Sequence, residues 1–84
     1  GDAGDSMVRL FFNAGKKNKI RAKDIVGAFA GEAGIPGKSI GHVDIYDDYT
    51  FVDVPGEYVK DIMTAMKNSK IKGKKVNIEI AKKK

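Results

Sequence analysis

The sequence predicts an α+β domain of two layers, with four antiparallel strands and two helices in the order β-α-β-β-α-β and both helices on one face of the sheet. Three observations predict it. Four short segments alternate apolar and polar residues, two others repeat apolar residues every three or four positions, and Gly or Pro marks most junctions. Eighty-four residues make one small domain, in which only about 60% of the unfolded surface is buried and the core is thin.

The first strand is "MVRLFFN" (7–13), with Val8, Leu10 and Phe12 toward the core and Arg9, Phe11 and Asn13 away from it. A basic loop follows. From Ala22 the apolar positions Ala22, Ile25, Val26, Phe29, Ala30 and Ala33 form a helical stripe, and Gly34 supplies the stop. "IPGKS" is a loop. "IGHVDIY" is the second strand, with Val43 and Ile45 inward, and Asp47-Asp48 turn the chain into "YTFVDV", where Thr50, Val52 and Val54 face the core. Pro55 is expected to open the second helix, whose stripe is Val59, Ile62, Met63 and Met66. "NSKIKGKK" reads as a loop pivoting on Gly73, and "KVNIEI" as the last strand with Val76, Ile78 and Ile80 inward. Residues 1–6 are Gly/Asp/Ser-rich and are expected to be a disordered linker or an appended remnant. The domain proper is expected over 7–80, and 81–84 as a basic tail.

Charge is segregated along this framework. Of sixteen basic residues, five lie in 16–23 (Lys16, Lys17, Lys19, Arg21, Lys23) and eight in 67–84, while 42–61 holds six acids against Lys60 alone. Right-handed crossovers give the strand order 4-1-3-2. In that order the loop after the first strand and the loop before the last share one end of the domain, on neighbouring strands. Lys16, Lys17, Lys19 and Arg21 therefore converge with Lys70, Lys72, Lys74 and Lys75, and such a patch suits a polyanion. The acidic Asp47-Asp48 turn is expected at the same end, toward the second and third strands.

The helix-free face of the sheet collects Arg9, Phe11, Asn13, His42, Asp44, Tyr46, Tyr49, Phe51, Asp53, Lys75, Asn77 and Glu79. Phe11, Tyr49 and Phe51 fall on the two central strands, where an RNA-recognition motif stacks bases. "LFFNAG" and "DDYTFVDV" resemble degenerate forms of that family's two motifs, so the expected fold is RRM-like. Arg9, Phe11, Asn13, Tyr49 and Phe51 join the candidate RNA contacts. Asp47-Asp48 replace the usual basic-glycine start, and Asp44, Asp53 and Glu79 repel phosphate. The competing expectation is that these aromatics pack on one another or beneath the tail.

The pieces "GKKNKIRAKDIVGAFAGEAGI", "IGHVDIYDDYTFVDVP" and "KIKGKKV" together resemble the C-terminal RNA-binding domain of bacterial DEAD-box RNA helicases of the DbpA/YxiN type, over nearly all of 7–80. The resemblance implies a module that tethers a helicase core to structured RNA, a hairpin region of 23S ribosomal RNA during large-subunit assembly. It implies no catalysis here, ATP and Mg2+ belonging to helicase domains absent from this chain. The alternatives are a protein-interaction module on the same fold, using the acidic region or the aromatic sheet, and a small phosphatase. No catalytic or metal-ligating constellation is recognisable, and His42 reads as a lone surface residue without a partner carboxylate. No segment is long and apolar enough for a membrane span. No cofactor or membrane partner is expected; a cytoplasmic monomer is.

Overall fold

Strand β1 (Met7–Phe12) forms the middle of the sheet in the computed structural model, which describes residues 7–81. The expected linker and the expected tail beyond Ala81 lie outside the described residues. β1 pairs antiparallel with β3 (Thr50–Pro55) on one side and β6 (Ile78–Ile80) on the other, and β2 (Val43–Ile45) completes the order β2-β3-β1-β6. This is the predicted 4-1-3-2 arrangement, with β6 as the fourth strand of the prediction, and the fold is the RRM-like α+β sandwich.

The alternation of β1 determines which residues reach the core. Leu10 pairs with Val52 and Phe12 with Thr50, and all four are fully buried under α1 (Ala22–Ala33) and α2 (Val59–Met66). Ile25 and Phe29 of α1 and Ile62 and Met66 of α2 fill the other side of this layer. Ala22, expected on the stripe, is exposed; the buried stripe begins at Ile25. Gly34 ends α1 as expected, at φ 72°, with its N–H donating to Ala30 O at 3.0 Å. Buried Thr50 is satisfied because its hydroxyl donates to Ala14 O at 2.7 Å, so the one polar residue in this core adds a bond at the end of β1.

Three expectations are corrected. Pro55 does not open α2: it is the last residue of β3, opposite Met7, with an extended backbone, and a 3-10 turn at Gly56–Tyr58 precedes the helix. A proline can end a strand because the N–H it lacks is not needed for the ladder there. Second, "NSKIKGKK" is no plain loop, since Lys70–Ile71 (β4) and Lys74–Lys75 (β5) form a hairpin. Lys72 and Gly73 both take positive φ (54° and 77°), the sign pattern of a type I′ turn, whose twist matches that of the flanking strands. Ile71 is buried and anchors the hairpin to the core. Third, Val76 is buried as predicted but Ile80 is 53% exposed. β6 is an edge strand, and α2, only eight residues and about 12 Å long, leaves its end uncovered.

The hairpin yields a prediction that separates stability from charge. Gly73→Ala should cost about 1 kcal/mol in a denaturant titration, because alanine meets a Cβ penalty at positive φ. Lys72→Asn should leave stability unchanged or raised, because asparagine suits the first position of this turn. A neutral Gly73→Ala or a destabilising Lys72→Asn would contradict the turn assignment.

Candidate nucleic-acid interface

The basic loop is held by its backbone. After β1 the chain enters a 3-10 turn at Lys16–Asn18, and the N–H groups of Lys16 and Lys17 donate to Tyr46 O (2.8 Å) and Asp47 O (3.0 Å) of the acidic turn. Gly15 permits this approach. A Cβ at position 15 would overlap the Tyr46 carbonyl oxygen and lie 2.9 Å from that of Asp47. Asn18 Oδ1 accepts the Gly15 N–H at 3.2 Å, and Lys19, at φ 62°, reverses the chain so that Ile20 drops into the core. Lys19 and Arg21 flank buried Ile20 and stay outside. Arg21 precedes α1, where Asp24 Oδ2 accepts its backbone N–H at 2.9 Å.

The side chains contribute less to this docking. Lys17 Nζ is 3.3 Å from Asp48 Oδ1, but both side chains are about two-thirds exposed. Such a pair is worth about 0–1 kcal/mol and is screened by salt. The backbone bonds fix the loop, and the lysine ammonium groups remain in water.

The two basic segments meet through one residue of the hairpin. Lys16, Lys19, Arg21, Lys23 and Lys72 line an open groove of about 820 Å3 with Ile20, Ala22 and Ile45, and no carboxylate is among its lining residues. Asp24 reaches Lys72 only at 3.9 Å. Lys23 was not among the candidate contacts, although its place in the basic segment was the available signal. Lys70, Lys74 and Lys75 do not line this groove. Lys70 lies opposite Lys75 on the hairpin, while Lys75 borders a second groove with Met63, Met66, Lys67 and Ile78.

The outer sheet face is occupied with itself. Arg9 donates to Asp53 Oδ1 at 3.0 Å and, closely, to Asp44 Oδ2, and its guanidinium sits 4.9 Å from the centre of the Phe51 ring. The hydrogen bond from Arg9 holds the Asp44 carboxyl below the usual carboxylate range, and the bond to His42 adds to this. His42 is therefore not without a partner: Asp44, two residues on and on the same face, lies 2.8 Å from its Nε2. A spacing of two on a strand was the signal for that pair. Phe11, Tyr46, Tyr49 and Phe51 pack on one another, with centroids 5.0 to 6.2 Å apart, as the competing expectation held. Asn13 Oδ1 accepts the Asn77 N–H at 3.0 Å, tying the exit of β1 to the approach of β6.

With this geometry in view, the comparison with known families is decisive. A family model described as the DbpA RNA-binding domain matches residues 9–80. The chain belongs to that family of RNA-binding domains. Its relatives include the ATP-dependent RNA helicase DbpA of Bacillus subtilis, 36% identical over 92% of this chain, and DbpA of Escherichia coli, 30% identical over 90%. The ATP-dependent RNA helicase DeaD of a Buchnera aphidicola subspecies is 33% identical over 80%. The chain spans 16%, 17% and 11% of those three proteins, so it corresponds to one domain of much longer chains. Among the described residues no helix is long and apolar enough to cross a membrane, and no group of acids and histidine could hold a metal ion.

Two outcomes follow from this geometry. Gly15→Ala should destabilise the domain by more than about 2 kcal/mol, because backbone rather than a movable side chain fills the space. A loss below about half that in a chemical denaturation would contradict the docking. For pH, Asp44 has a lowered folded-state pKa, so its pairing stabilises fully above the unfolded value of about 4 and is lost as pH falls through the folded one. Asp44→Asn should flatten the loss of stability below about pH 4. An acid limb of unchanged slope would contradict the pairing.

Proposed function

We propose that this RNA-binding domain tethers an ATP-dependent RNA helicase to structured RNA, a hairpin region of 23S ribosomal RNA during assembly of the large subunit. The basic groove is its main contact. The observation that carries the reading is the convergence of Lys16, Lys19, Arg21 and Lys23 with Lys72, some fifty residues away in the chain, in one groove without a carboxylate in its lining. Like charges directly opposite on a hairpin lower stability, so the Lys70–Lys75 pair adds a local repulsion that a polyanion relieves. Lys17, Lys70, Lys74 and Lys75 do not line the groove and contribute to the field of the same end of the domain.

The roles divide by chemistry. Lys16, Lys19, Lys23 and Lys72 are point charges on flexible stems and suit phosphates. Arg21 offers a planar fork of donors that suits paired contacts to phosphate or to a guanine edge. On the sheet, Arg9 is already compensated by Asp44 and Asp53, with Glu79 close by on β6 opposite Phe11. A phosphate backbone drawn across this centre gains little. Phe11 and Phe51 are half-buried within the aromatic cluster, and each contributes at or below the low end of the roughly 1–3 kcal/mol of an aromatic–base stack.

The test is a salt series on the domain with a 23S hairpin and an unrelated hairpin of equal length. Replacing Lys19 and Arg21 by Ala and Lys72 by Asn should lower affinity at least about tenfold and reduce the magnitude of the log–log salt slope by about 2–3. Arg21→Lys should narrow the difference between the two hairpins more than it weakens binding to the unrelated one. A shallow slope that the triple variant leaves unchanged would contradict the groove and favour a protein partner.

A further inference from the structure

Tyr46 and Tyr49 are the most exposed aromatic residues described, at 46% and 39%. They bracket the acidic turn, where the Tyr46 N–H donates to Tyr49 O at 2.9 Å, and their rings are stacked with centroids 5.0 Å apart and planes 26° apart. The core makes little demand on them, since Tyr46 is held through its backbone. Its carbonyl accepts the Lys16 N–H, so the pair is fixed beside the basic loop. Lys16, Tyr46, Asp47, Asp48 and Tyr49 line a shallow recess of about 350 Å3, and Lys16 also lines the basic groove. The two concavities thus share one lysine.

We propose that Tyr46 and Tyr49 form a stacking site for one unpaired base of the RNA whose phosphates occupy the groove. This rests on the reading of the groove given above. Tyr46, just after β2, was not among the contacts expected from the sequence, which placed stacking on Phe11, Tyr49 and Phe51. The structure shifts it to this corner. The Phe11 and Phe51 faces are partly covered by the aromatic cluster, and the Arg9 carboxylate network beside them discourages phosphate. The tyrosine pair belongs to the same cluster but is more exposed. Lys16 between the concavities can hold the phosphate linking groove and corner. Asp47 and Asp48 repel a phosphate from the recess itself, so a base enters there in preference to backbone. A π-face on every base makes the site tolerant of sequence.

The experiment compares RNA hairpins carrying one unpaired adenosine at the 5′ end, at the 3′ end or in the loop. Each is measured against the same RNA with that residue made abasic, which keeps the phosphate and removes the stacking surface. The wild-type domain should bind at least one base-containing RNA about fivefold or more tighter than its abasic counterpart. Tyr46→Ala should abolish that difference while leaving affinity for the abasic RNA unchanged, and Tyr46→Phe should retain it. No base-dependent gain at any position, or a gain that survives in Tyr46→Ala, overturns the proposal. The Lys19, Arg21 and Lys72 triple variant should weaken base-containing and abasic RNAs alike. Its failure to do so would overturn the groove reading, whereas a missing base-dependent gain with this weakening intact would overturn the tyrosine site alone.

Discussion

The two backbone hydrogen bonds from Lys16 and Lys17 to the carbonyls of Tyr46 and Asp47 are the constraint on which the functional surface depends. They join the loop after β1 to the turn between β2 and β3, so that a basic loop and an acidic turn meet across main chain. An exposed lysine–aspartate pair alone could not hold this arrangement against side-chain entropy and salt. Two backbone bonds and the absence of a Cβ at Gly15 can. Because the loop is fixed without its ammonium groups, those groups stay available to a ligand. Preorganisation of this kind lowers the ordering cost of binding, although the lysine tips themselves remain mobile.

The sheet face shows the opposite use of charge. Arg9, Asp44, Asp53 and His42 satisfy one another, and the guanidinium over Phe51 ties that network to the aromatic cluster. A domain that drew RNA across its sheet would leave the cation free and keep acids away. Here the acids outnumber the cation at the centre, whereas the groove lining carries cations without acids. This contrast between the sheet face and the groove is the electrostatic ground for the RNA contact proposed at the groove.

Much of the fold was legible because its signals are local. Alternation in "MVRLFFN" and the stripe from Ile25 to Ala33 follow directly from strand and helix geometry, and α1 ends at Gly34 because only its backbone form needs no Cβ. The misreadings came where local chemistry allows two answers. Pro55 suits a helix start or a strand end, and cross-strand pairing with Met7 decides for the strand. "KIKGKK" contains a glycine compatible with any reversal; what makes it a hairpin is Lys72 also adopting positive φ, which lysine does not announce. The candidate site was legible as charge and topology. Sequence brought both lysine runs to one end of the domain but could not see that Lys72, in the turn of the hairpin, lines the groove while Lys75 lines a second one. Nor could composition reveal that Arg9 reaches Asp44, because that pairing depends on strand register, whereas the His42–Asp44 spacing was there to be read.

The most direct test of this account is native-state amide hydrogen exchange at Lys16 and Lys17, measured in the free domain. The account predicts protection of both amides comparable to that of the β1–β3 ladder, since their bonds to Tyr46 and Asp47 break only when the sheet end opens. Exchange of both amides at the rate of an open loop, while the β1–β3 ladder stays protected, would contradict it: the basic loop would then be free of the acidic turn, and the groove would not exist before RNA arrives.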